Sequence, residues 1–364
     1  SVVTAEGMVA ENPQVKLGGI EMIPDRLVVE SVADAMPLSQ DSSIDVRLDY
    51  RWLDLRGEKQ QMVVRAQTLL MSAMRAHLAD HGFLEIHSPK LVGAASESGA
   101  EVFEVQYFDR KAYLAQSPQF YKQMAIAGGL ERVFEVGPVF RAENSHTGRH
   151  ATEFTGLDIE MAFIDSHEDV MRLEEALLAH AIGRVKEAYG DAIERLFGEP
   201  VVVPSLPFPR ITLHALYEEL ASRYGYEIED TERGDLTREA ERLSRRFVME
   251  EYGHELLFVT DFAASSRAFY HMREGKTALG FDLIWKGVEI TTGAQREHRC
   301  EPLTAQAHER GLQADVAFYT EFFRYGCPPH GGFGLGLDRL TMLLLNIPIK
   351  EAMFVFRGPD RLTP

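Results

Sequence analysis

RVFEVGPVFRAENSHTGRHATEFTGLDIEMAFI, residues 132–164, decides how this chain folds. Its ends are apolar, and the polar loop between them holds Arg141, Glu143, Arg149, His150 and Glu153, with Phe154 at its far edge. Strand, polar loop and strand is the implied geometry. Arg141 at the end of a strand can hold a phosphate through its planar fork, and Phe154 can stack on a flat base. From the charge pattern alone a solvated hairpin tip reads as well.

Working outward, strand-like runs recur at residues 113–117, 256–262 and 280–293. Between them lie stretches with helical spacing, above all QQMVVRAQTLLMSAMRAHLADH (60–81), which ends at Gly82, and HEDVMRLEEALLAHAIGRVKEAYG (167–190). This order is no repeating βαβ array. It predicts an α+β domain on a largely antiparallel sheet flanked by helices. At the start, VVTAEGMVA and GIEMIPDRLVVESV alternate apolar and polar residues around Asn12-Pro13 and Gly18-Gly19, the pattern of two paired strands. Such a pair is marginal alone, so the expectation is the tail of a small β-domain whose earlier strands are not in this sequence. A polar stretch, Pro37 to Ser43, reads as a linker.

Composition narrows the function classes. No apolar run nears the ~18 residues a membrane helix needs, and SVVTAEGMVAENP has no secretory pattern, so a soluble, cytoplasmic protein without a membrane partner is expected. Cys300 and Cys327 are the only cysteines and read as reduced thiols. A formal charge of −18 opposes non-specific binding of nucleic acid, so any such contact must use a local basic patch.

Near the end, PPHGGFGLGLDRLTMLLL (328–345) sets four glycines before a helix beginning at Leu337. Glycines let a ligand approach the backbone, and a cation, Arg339, in the first helical turn is unfavourable unless an anion binds nearby. Glycine-rich strand packing is the plain alternative. The spacing is neither that of a P-loop nor that of a dinucleotide fingerprint.

Three segments together resemble the signature motifs of class II aminoacyl-tRNA synthetases: HGFLEIHSPKL (81–91), FRAENSHTGRHATEF (140–154) and GGFGLGLDRL (331–340). RLDYRWLDLR (47–56), AQSPQFYKQ (115–123), TGLDIEMAFI (155–164), GVEITTGAQREHR (287–299) and the terminal RLTP resemble the aspartyl branch of archaeal and eukaryotic type. The resemblance implies a C-terminal part of an OB-fold-like anticodon-binding domain at 1–36, a linker at 37–46 and the synthetase catalytic domain at 47–364. It implies ATP, L-aspartate and tRNA(Asp) as partners, and leaves tRNA(Asn) open.

The resemblance also implies roles. Arg141 and Arg339 carry catalysis by clamping the α-phosphate and the base of ATP; Glu143, Arg149, His150, Phe154 and Glu289 complete the ATP site. Glu289 and Thr292 are the implied Mg²⁺ ligands, with Asp282 assisting through water. Arg296 and Lys122 face the aspartate side chain, Ser117, Gln119 and Asp158 shape the floor, and Ser96 and Glu97 reach its ammonium group from a mobile loop. Ser98 departs from the glycine often found there. A homodimer is implied by the first motif, and helix 60–81 carries more large apolar residues, among them Met62, Val63, Leu69, Leu70, Met71 and Met74, than one buried face needs. The rivals are an asparaginyl-tRNA synthetase, an asparagine synthetase on the same domain, and an inactive synthetase-like binding module. ITTGAQREHR weighs against the first and the intact Arg141, Glu289, Arg296 and Arg339 against the last, while the incomplete N-terminal β-segment keeps the second open.

Overall fold

The alternating N-terminal residues form an antiparallel ribbon of β1 (Val2–Glu11) and β2 (Ile20–Ser31). Its register shifts at Glu6/Gly7, where a Cβ on Gly7 would lie 2.0 Å from the Ile23 carbonyl oxygen, so only glycine fits. Two short helices follow, α1 (Ile44–Asp49), capped by the Ser43 side chain, and α2 (Arg51–Asp54). The structure is a computed structural model describing residues 1–15, 18–39, 41–93, 101–144, 147–229 and 231–364. It comprises two units, Ser1–Asp54 and Leu55–Pro364.

The second unit opens with α3 (Glu58–Asp80) and β3 (Leu84–Glu85). A small sheet of β4 (Leu91–Val92), β5 (Glu104–Tyr107) and β6 (Arg110–Leu114) precedes α4 (Gln119–Ala127), β7 (Arg132–Phe140), β8 (Glu153–Ala162) and α5 (His167–Phe197). β9 (Arg210–Thr212) leads into α6 (Leu213–Tyr224) and α7 (Arg238–Tyr252). After β10 (Leu256–Thr260) come a short ribbon, β11 (Arg273–Glu274) with β12 (Thr277–Ala278), and the long hairpin β13 (Gly280–Trp285) and β14 (Val288–Gln295). α8 (Cys300–Glu309), α9 (Ala317–Thr320), β15 (His330–Gly336), α10 (Leu337–Leu345) and α11 (Ile349–Ala352) complete the unit.

Eight strands join in the order β3-β7-β8-β15-β14-β13-β10-β9. From β7 to β10 every neighbour is antiparallel, and the edge strands β3 and β9 run parallel to theirs, which agrees with the α+β expectation. Strand periodicity sorts β8 by face: Leu157 and Ile159 are buried in the apolar core, while Phe154, Gly156, Asp158 and Glu160 share the opposite face. α5 lies against β14 and β15, and α3 packs on α5. Ser166 and Asp169 close a capping box at the start of α5, and Gly198 ends it in the left-handed region at φ 81°.

The apolar stripe of α3 corrects one expectation. Met62, Val63, Leu70, Met71 and Met74 are buried within this single chain and Leu69 is half-buried, so the long α5 covers what a partner was expected to cover.

Candidate active site

The open face of the sheet is floored by glycine. β15 pairs Gly332 with Glu160 and Gly334 with Asp158 on one side, and with Ala294 and Thr292 on the other. A Cβ on Gly332 would stand 2.0 Å from the Ile159 carbonyl oxygen and 2.4 Å from Glu160 Oε2. The glycines thus keep the floor bare while acidic side chains rise beside them. Above it lies a cavity of about 320 Å³, lined by Ser117, Gln119, Lys122, Asp158, Thr292 and Arg296 at one end and by Arg141, Glu143, Arg149, His150, Phe154, Glu289 and Arg339 at the other. Apart from Asp282, every predicted site residue that the structure describes therefore reaches one cavity. Ser96, Glu97 and Ser98 lie outside the described residues.

At the first end two cations are almost wholly buried, Lys122 at 1% exposure and Arg296 at 2%. Lys122 Nζ, from the first turns of α4, meets Asp158 Oδ1 at 3.0 Å and Glu160 Oε2 at 3.4 Å. Arg296, just past β14, donates through Nε to Glu160 Oε1 at 3.0 Å and through Nη2 to the Gly332 carbonyl oxygen at 2.9 Å. Burial alone would raise the Glu160 carboxyl, but Arg296, Lys122 and His330 prevail and hold it below the usual range. His271 lies beside Arg296, its Nε2 3.4 Å from Nη1; burial and then Arg296 drive its imidazole well below its ordinary value, so it stays neutral. Burial brings His330 down to about 4. Two cations and two carboxylates balance here, and the surface they offer a ligand is rich in N–H donors because both carboxylates are already engaged.

The other end is basic. Arg141 lies over the Phe154 ring, 5.7 Å from its centroid, and its Nη1 is 3.9 Å from Glu143. Arg339, in the first turn of α10, donates to the Glu289 carbonyl oxygen at 2.6 Å. Burial lowers the Arg339 pKa and Arg149 and Arg141 push the same way, with Glu289 opposing. Like charges converging at a helix N-terminus make a place for a polyanion. His150 is lowered by burial and by Arg339. Arg149 turns both terminal nitrogens to Glu241 of α7.

Glu289 and Thr292 sit three residues apart and would face opposite ways on a regular strand. A register shift against Leu283/Ile284 adds one residue to β14, so both side chains share a face and Thr292 Oγ1 donates to Glu289 Oε1 at 3.3 Å. A carboxylate and a hydroxyl suit a hard cation that takes its other oxygens from phosphate and water. No group of three or more His, Cys, Asp or Glu able to hold a metal unaided occurs among the described residues. Asp282 is held by Arg267 through both oxygens, at 2.8 and 2.6 Å, which leaves it a supporting position behind this pair.

Sequence reading missed Glu160, Arg267, Tyr270, His271 and Glu241. Glu160 had a usable signal: Asp158 and Glu160, two residues apart in an apolar strand, must share a face. Arg267, Tyr270 and His271 come from an irregular segment with no periodicity to betray a direction. Among the described residues no helix is long and apolar enough to cross a membrane.

Comparison with known proteins matches residues 43–356 to the family described as tRNA synthetases class II (D, K and N). The chain is 42% identical to the aspartate–tRNA(Asp/Asn) ligase of Aeropyrum pernix and 41% identical to the aspartate–tRNA(Asp) ligase of Thermococcus kodakarensis, spanning 100% of this chain and 84% of each relative. Among solved structures, asparaginyl-tRNA synthetase from Pyrococcus horikoshii complexed with asparaginyl-adenylate superposes with a TM-score of 0.91 at 34% identity, over 100% of this chain and 84% of that one.

Proposed function

We propose, from the premise that the chain belongs to the class II tRNA synthetases (D, K and N), that it is an aspartate–tRNA ligase. It activates L-aspartate with ATP to aspartyl-adenylate and transfers the aspartyl group to the 3′ end of tRNA(Asp); tRNA(Asn) is the second candidate acceptor, as it is for the aspartate–tRNA(Asp/Asn) ligase of Aeropyrum pernix by that protein's name. The observation that carries this reading is the buried pair Arg296 and Lys122, converging on one carboxylate beside a bare glycine floor. Neither cation can accept a hydrogen bond, so an asparagine amide would turn its NH₂ toward donors while an aspartate carboxylate satisfies them.

Arg141 then takes the α-phosphate, Phe154 and Arg339 the two faces of the base, and Glu143, Arg149 and His150 complete the nucleotide end. Ser117, Gln119 and Asp158 hold the amino acid, with Ser96 and Glu97 assigned to its ammonium group. No side chain need attack: catalysis rests on holding two anions together and neutralising their repulsion. Glu289 and Thr292 would hold Mg²⁺, which when bound would supply positive charge against the phosphates. We place the protein in the cytoplasm as a homodimer. In support of the dimer, Leu84 on the edge strand β3 and Leu91 at the start of β4, both within the first motif, are about half exposed. The catalytic domain is taken as 47–364, preceded by a linker at 37–46 and an OB-fold-like segment at 1–36.

The test is aminoacylation. Incubated with ATP, Mg²⁺ and labelled amino acid, the chain is expected to esterify aspartate to tRNA(Asp) transcript, and a parallel tRNA(Asn) reaction reports acceptor range. Esterification of asparagine in place of aspartate would overturn the assignment in favour of an asparaginyl-tRNA synthetase. Free asparagine formed from aspartate and ammonia would overturn it in favour of an asparagine synthetase.

A further inference from the structure

We propose that Glu241 is the positioning residue for Arg149, and that through it helix α7 sets the affinity for the triphosphate of ATP. Arg149 belongs to the loop between β7 and β8, the least regular wall of the cavity, and has no secondary structure to fix it. Its guanidinium is gripped from outside the loop. Glu241 Oε2 accepts from Nη1 and Oε1 from Nη2, the latter at 3.3 Å, so one carboxylate holds both terminal nitrogens. Each Nη carries two hydrogens, and this fork-on-fork contact uses one of each, leaving the outer pair and Nε–H for the cavity.

Glu241 is itself buried, near the start of α7, and the turn of α7 that carries it sits close to the β13–β14 connection: the Glu241 carbonyl oxygen would be 3.0 Å from a Cβ on Gly287. An Asp or Glu in the first helical turn is favoured by the helix dipole, so its carboxylate is a fixed anchor. Glu241 also offsets the repulsion among Arg149, Arg141 and Arg339, which all bear on one place. Without it Arg149 faces two like charges across a solvent-open loop, and the least costly response is to swing away. The loss falls on the nucleotide end, because Lys122 and Arg296 draw their own partners from β8 and β15.

This inference rests on the reading of the cavity as an ATP and aspartate site. The experiment is aspartate-dependent ATP–pyrophosphate exchange by the full chain, its E241Q and R149A variants and the double variant, with KM read separately for ATP and aspartate and melting temperature as control. E241Q is expected to raise the KM for ATP about tenfold, to leave the KM for aspartate within about twofold, and to add nothing on the R149A background. The full E241Q effect persisting on R149A, or both KM values rising together with a fall in melting temperature, would show that Glu241 acts otherwise. An unchanged KM for ATP in E241Q overturns the inference alone. Absence of aspartate-dependent exchange in the unsubstituted chain overturns the site reading and the inference with it.

Discussion

Glu174 gives the sharpest quantitative test of the fold. It projects from α5, which packs against β14 behind the site, is 0% exposed, and among the described residues neither of its oxygens has a hydrogen-bond partner. Burial pushes its carboxyl up to about 8, with Thr291 opposing and Glu175 and Asp282 adding to the rise. A raised acid is protonated in the folded chain and ionised in the unfolded chain between pH 4.5 and 8, so the folded state binds the extra proton. Stability from this group is therefore complete below pH 4.5 and is lost as pH climbs to 8, a swing on the order of 4 to 5 kcal/mol at 1.36 kcal/mol per pKa unit. Glu174→Gln keeps the shape and cannot ionise. Urea unfolding at pH 4, 6.5 and 8 should show the variant equal to the parent at pH 4 and increasingly more stable above it. A difference that does not change with pH, or a variant less stable at pH 8, would refute the reasoning.

Arg296→Leu should abolish aspartate activation while ATP binding, followed by equilibrium titration, changes less than about threefold, because Arg296 and the nucleotide end have separate partners; comparable loss of ATP binding would show its role is misread. Gly332→Ala should destabilise by roughly 1–3 kcal/mol or more, since its Cβ would collide with backbone and with Glu160, whereas Gly183→Ala in α5, with no neighbour nearer than 4.0 Å, should stabilise by about 0.5–1 kcal/mol. Thermal melts of the two variants read both signs. Phe154→Ala should raise the KM for ATP about tenfold through lost stacking, and an unchanged KM would remove Phe154 from the base site.

Much of this was legible before any coordinates. Apolar runs on either side of a polar loop marked β7 and β8, helical spacing marked α3 to within two residues at its start, and the glycine run ended at Leu337, where α10 begins. The binding residues were legible only together, through three motifs, because one arginine in a polar loop looks like any other. What stayed hidden depends on long-range packing. The bulge that turns Glu289 and Thr292 to one side arises from register with β13, and the Arg149–Glu241 pair joins segments 92 residues apart. Burial of the α3 stripe was misjudged because sequence spacing counts apolar faces without showing that α5 is long enough to cover them.

The central claim is that Arg296 and Lys122 make this a site for aspartate. ATP–pyrophosphate exchange on the full chain, with aspartate and asparagine offered separately at equal concentration, tests it most directly. Exchange with aspartate at roughly a hundredfold or more over asparagine is the expected result; equal exchange, or a preference for asparagine, would contradict it.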